Sequence, residues 1–167
     1  ENQLAGISAS NGMKFLVSRQ CDDCNGLVAF VTYVLPESDA AAKGIERGDF
    51  ITTINGTSLN VNNYIDLLYG DALSYSVGLA DYDPTEESFD LTGETITLDK
   101  VENFQEDPIH KNLVLDVGGQ KVGYLMYNKF LNEFDDQLIQ TFSDFAAEGI
   151  TDLVLDLRYN PGGSVRT

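Results

Sequence analysis

Toward its carboxyl end the chain reads as a strand, an amphipathic helix and a second strand with short connections. That order favours two parallel strands joined by a crossover helix. Residues 121–127 are rich in strand formers. Residues 132–148 place Phe134, Leu138, Phe142 and Phe145 on one helical face, and Gly149 offers a left-handed stop. In the strand that follows, 152–157, Leu153, Val154 and Leu155 run apolar without alternation, the pattern of a strand covered on both faces. The expectation is a βαβ unit with a right-handed crossover. Asn112 to Val117, linked to it by a Gly118-Gly119 turn, adds a hairpin strand.

The preceding residues follow another pattern. Residues 13–18 and 27–35 are strand formers joined by a turn-rich stretch from Gln20 to Gly26. Ser38 can cap a short helix that Gly44 ends. The strand from Phe50 to Ile54 runs into Asn55-Gly56, a strong two-residue hairpin signal. Val61, Tyr64, Ile65 and Leu68 recur at helical spacing, with Gly70 as the stop. Residues 74–81 alternate like a strand, a polar loop with Pro84 follows, and Glu94 to Val101 reads as another strand. Residues 102–111 look like a linker. The fold class is therefore α+β. A strand-rich domain at 1–101 is followed, after the linker, by a partial α/β unit at 112–167.

At 167 residues the chain suits one domain or two small ones, and 43% hydrophobic residues is ordinary for a globular protein. It opens on Glu1 with no basic, apolar-cored targeting segment, as in a trimmed product or one whose targeting segment lies upstream. A formal net charge of -17 would repel a phosphate backbone and argues against nucleic acid as a partner. Asp81-Tyr82-Asp83 lacks the Gly and distal Glu of a calcium loop. Cys21 and Cys24 would need two further ligands to hold zinc, and the chain has one His. No metal and no cofactor is expected. The cysteines sit between two strand-like runs, so they read as a hairpin tip, with the state of the thiols left open. His110, in the linker, reads as a solvated loop residue.

Sites in open α/β sheets gather at the carboxyl ends of the strands. There the chain has Arg158-Tyr159-Asn160-Pro161-Gly162-Gly163. Pro161 fixes its own φ and restricts Asn160, while two glycines leave the backbone amides bare. Such a turn can aim N–H groups at a developing negative charge, although spacing alone favours a sharp connection to a following helix.

DLRYNPGG at residues 156–163 resembles the signature of the carboxyl-terminal-processing proteases, serine peptidases of the tail-specific and tricorn-like group. Val122 to Leu125, then Phe130, resembles the strand that opens their catalytic domain. Pro36 to Gly56 (PESDAAAKGIERGDFITTING) resembles the core of their PDZ domain, with Asp39-Ala40 where the family has Pro-Ala. The resemblance implies a PDZ-like peptide-binding domain, then the first part of a crotonase/ClpP-like catalytic domain. It implies a Ser nucleophile and a Lys base beyond the turn, neither matched in residues 1–167, so the chain is expected to be inactive by itself. Ser164 does not match the nucleophile position. Asp156 and Arg158 read as pairing groups.

The amides of Gly162 and Gly163 are the implied oxyanion donors. In the first domain, Leu4 to Ile7 is the best match to a carboxylate-capturing loop, so the implied peptide-binding residues are Gly6, Ile7 and Tyr64. Tyr64 lines the groove or fills the core; Ile65 and Leu68 are read as core. Protein and peptide carboxyl termini are the implied partners, in a bacterium and outside its cytoplasm. The alternative reading is a PDZ-type binding module without chemistry. Self-association is expected too, because 112–167 is too short to bury a core well.

Overall fold

The computed structural model describes residues 7–167. It is a mixed, strand-rich fold: β1 (Ile7–Ser10), β2 (Met13–Arg19), β3 (Leu27–Val34), α1 (Asp39–Ala42), β4 (Phe50–Ile54), β5 (Thr57–Ser58), α2 (Tyr64–Tyr69), β6 (Ser74–Asp83), β7 (Ser88–Asp99), β8 (Val101–Gln105), β9 (Ile109–Val117), β10 (Gln120–Tyr127), α3 (Asp135–Ala147) and β11 (Asp152–Asp156). Among these, β1 pairs with β8. The chain forms two compact units: the first is Ala9–Asn103, and the second is Phe104–Thr167 together with the described residues Ile7 and Ser8.

In the first unit the sheet order is β2-β3-β4-β6-β7, with β5 hairpinned onto β4. Asn55 (φ 49°) and Gly56 (φ 73°) make the tight turn between β4 and β5, both left-handed, as a two-residue hairpin requires. Val31, Ile51, Ile54, Leu59, Val77 and Leu98 are the fully buried centre. Ser38 caps α1 by accepting from the Ala41 N–H at 3.3 Å and donates to the Leu35 carbonyl at 2.7 Å. Asp49 Oδ2 accepts from the Glu46 N–H at 2.8 Å, which closes the turn entering β4. The polar loop expected around Pro84 is only a tight turn. Asp83 Oδ1 accepts from the Thr85 and Glu86 amides, so β7 starts at Ser88. Tyr82 and Phe89 face each other across that hairpin, centroids 5.0 Å apart, and hold its end together.

In the second unit β10 pairs parallel with β11 and antiparallel with β9, giving the order β11-β10-β9. Leu125, Tyr127 and Phe145 form its buried centre under α3.

Several expectations need correction. Residues 102–111 are largely strand, because β8 finds its partner in the distant β1, a pairing that local sequence does not signal. His110 accordingly lies in β9 rather than in a solvated loop, and burial lowers its pKa. Phe142 is exposed; α3 turns Leu138, Thr141 and Phe145 inward instead. Ile65 is exposed, while Leu68, less than one turn further along α2, is core. Leu153, Val154 and Leu155 are exposed as well: α3 covers the Leu153 and Leu155 face incompletely, and Val154 lies on the opposite face of the sheet.

Candidate functional site

The DLRYNPGG segment begins with the last residue of β11. The parallel register sets Tyr124 beside Val154, so Tyr124 and Asp156 share a face. The Tyr124 hydroxyl donates to Asp156 Oδ2 at 2.6 Å. The same carboxylate accepts from the Arg158 backbone N–H at 3.1 Å, Nε at 3.0 Å and Nη2 at 2.6 Å. Its side chain is 5% exposed, whereas that of Arg158 is 60% exposed. Arg158, and after it Tyr124, hold the Asp156 carboxyl far below the usual carboxylate range. The Asp156 bond pushes the Tyr124 hydroxyl up, and the carboxylate raises Arg158 further. Asp156 and Arg158 thus pair as expected and anchor the start of the turn. Tyr124 is a third member that sequence reasoning missed; the signal was the i, i+2 offset between parallel neighbours.

Beyond the pair, Asn160 shapes the loop. Its N–H donates to the Leu157 carbonyl at 3.0 Å, its Nδ2 to the Tyr127 carbonyl at 2.9 Å, and its Oδ1 accepts from the Gly162 N–H at 2.8 Å. The turn is therefore stitched to the carboxyl end of β10. The Phe130 N–H donates to the Gly162 carbonyl at 3.1 Å, and the Ser164 N–H to the Phe130 carbonyl at 2.9 Å. Gly163 sits between these bonds, its own N–H outside the pairing, with φ 143°. A Cβ on Gly163 would lie 2.1 Å from the Phe130 carbonyl oxygen. Of the two glycines singled out from sequence, Gly162 has its amide committed to Asn160, and the Gly163 amide is bare among the described residues.

Ser164 is tied down as well. Its hydroxyl bonds to Asn132 Oδ1 and accepts from the Arg166 N–H at 3.0 Å. No basic side chain among the described residues is in that network.

A second candidate lies in the first unit. Among the described residues β2 is the edge strand of its sheet and pairs with β3. α2 runs beside it: the Phe15 and Tyr69 rings meet at 5.6 Å, and Phe15, Val17, Tyr64 and Leu67 pack onto one core. Tyr64 is half-buried and packs against that core. Ile65 and Tyr69, one turn apart, are exposed on the helix. Gly6 lies outside the described residues, as does the side chain of Ile7.

A βαβ unit that delivers a glycine-paired turn to the end of a parallel strand, preceded in the chain by a strand-rich unit, matches the S41 protease fold. Residues 121–167 match the family model of peptidase family S41. A carboxyl-terminal-processing protease of Picosynechococcus sp. is 30% identical over 167 residues, which covers 96% of this chain and 36% of that protein. A probable CtpA-like serine protease of Staphylococcus aureus is 31% identical over 134 residues, covering 80% of this chain and 25% of the relative. The crystal structure of a putative S41 protease from Bacteroides fragilis superposes with a TM-score of 0.70 at 27% identity, over 96% of this chain and 44% of that one. The photosystem II D1 C-terminal processing protease shares the fold, with a TM-score of 0.60 at 21% identity over 95% of this chain and 42% of that one. The chain is thus similar to the proteases of peptidase family S41, and it spans 36% and 25% of the length of these two curated relatives.

Proposed function

We propose that this chain supplies the peptide-recognition domain and the opening part of the catalytic domain of a serine endopeptidase that processes protein carboxyl termini outside the cytoplasm. The observation that carries the first half is the free edge of β2 beside α2. An extended peptide can add there as a further strand, with backbone bonds giving affinity and the aromatic wall of Phe15, Tyr64 and Tyr69 selecting side chains. The residues before β1, Gly6 among them, would take the terminal carboxylate. Polarisation titration of a fluorescein-labelled apolar peptide, as free acid and as amide, tests this. The free acid should bind about tenfold more tightly, the effect of one charge-assisted capture. Equal binding of the two would remove the carboxylate role.

The second half rests on the Asp156-anchored turn. Asp156, Arg158 and Tyr124 fix the strand end, Asn160 sets the loop, and the Gly163 N–H is presented unpaired, as an oxyanion donor requires. The nucleophile and its base would come from other parts of the whole protein. No helix among the described residues is long and apolar enough to cross a membrane.

Residues 1–167 should show no proteolysis of their own. A serine nucleophile needs a base within hydrogen-bond reach, and the Ser164 hydroxyl faces Asn132 instead. Turnover of casein that is lost in Ser164→Ala would overturn this. We further propose that the chain self-associates through the open sheet of the second unit.

A further inference from the structure

Cys21 and Cys24 are bonded to each other in the turn between β2 and β3. Cys21 is exposed and Cys24 half-buried. They are the two cysteines of residues 1–167. The turn is wired to the start of α2. The Val61 N–H donates to the Asn25 carbonyl at 3.0 Å and the Leu27 N–H to the Leu59 carbonyl at 2.9 Å. Gly26 forms an antiparallel bridge with Asn60. Asn60 in turn accepts from the Tyr64 N–H at 3.1 Å, and its own N–H donates to Asn63 Oδ1 at 2.8 Å. A continuous chain of bonds therefore runs from the cystine turn to the first turn of the helix. The far end of the groove is closed by the Phe15 and Tyr69 rings.

We propose that the Cys21–Cys24 pair is a redox clasp on the β2–α2 groove, which rests on the reading of that groove as a peptide site. Bonded, the pair fixes the turn and, through Asn25 and Gly26, the start of α2 in its peptide-receiving position. Reduced, the turn loosens and the helix start loses its brace. The loop closed is only four residues long, and stabilisation by a cross-link grows with loop length. The bond therefore acts on the local order of the turn more than on global stability. Its exposure gives a partner thiol or disulfide direct access, as in labile, regulatory disulfides.

The exchange balances with a disulfide as oxidant. One cysteine thiolate attacks the external disulfide, forms a mixed disulfide and releases one thiolate. The second cysteine then displaces the other. Two electrons and two protons leave the protein, and the oxidant ends as two thiols. Oxidised glutathione serves as probe oxidant and dithiothreitol as probe reductant.

The test compares the oxidised chain, the chain held in dithiothreitol and a Cys21→Ser/Cys24→Ser variant. Each is titrated with the same labelled free-acid peptide, and hydrogen exchange is followed at the Val61 and Tyr64 amides. The oxidised chain should bind about fivefold more tightly than the reduced one, the scale of ordering one short segment on binding. The variant should match the reduced chain in both buffers, and exchange at Val61 should quicken on reduction. Equal affinities, with peptide bound in both states, would overturn the clasp and leave the groove reading standing. Unchanged exchange at Val61 on reduction of the native chain overturns the clasp whatever the peptide does. Absence of peptide binding in both states would remove the groove reading and the clasp with it.

Discussion

Gly163→Ala should cost the second unit more than about 3 kcal/mol, the range of severe backbone damage. Two effects add. The residue sits at φ 143°, where side chains are disfavoured, and its Cβ would approach the Phe130 carbonyl oxygen to 2.1 Å. That oxygen is fixed from the other side by the Ser164 N–H, so it cannot retreat without breaking the bridge. Gly162→Ala is the matched control. Gly162 also has positive φ, 106°, but open space where its Cβ would be, so the loss should stay near 1–2 kcal/mol of strain. Hydrogen exchange at the β10 and β11 amides reads the second unit by itself, which whole-chain melting does not. Similar losses in the two variants would show that the close approach to Phe130 does not govern the turn.

The full chain should be a dimer or larger at tens of micromolar, and Leu115→Lys with Val154→Lys should return it to monomer. The face opposite α3 exposes Leu113, Leu115, Val117 and Val154 by 46%, 41%, 59% and 48%. These side chains share one side of the sheet, because Leu113 and Val154 both pair with Tyr124 and Leu115 pairs with Val122. Among the described residues β11 bonds only to β10, so its outer edge offers unpaired N–H and C=O groups. A second copy answers both needs, since its own β11 edge can pair and its own apolar face can cover this one. Light scattering across a dilution series provides the measurement. A native chain that remains monomeric at every concentration, with β11 protected from exchange, would show that this face finds no partner in another copy.

Local chemistry determined a good deal by itself. The Asn55-Gly56 turn, the Ser38 cap, and the parallel strands flanking α3 were legible because each depends on residues close in sequence: a φ preference, a short hydrogen bond, a helical period. The DLRYNPGG turn was legible for the same reason, since its proline and glycines restrict the backbone where they stand. Other features needed the fold. Residues 102–111 became strand because β1, nearly a hundred residues earlier, lies beside β8. Tyr124 joined Asp156 because a register, which no local pattern states, put them on one face. Which glycine keeps its amide bare was likewise decided by Asn160 reaching back to Gly162 and to Tyr127. Sequence sets the conformations a segment prefers; partners distant in the chain decide which hydrogen-bonding groups are used and which remain open for chemistry.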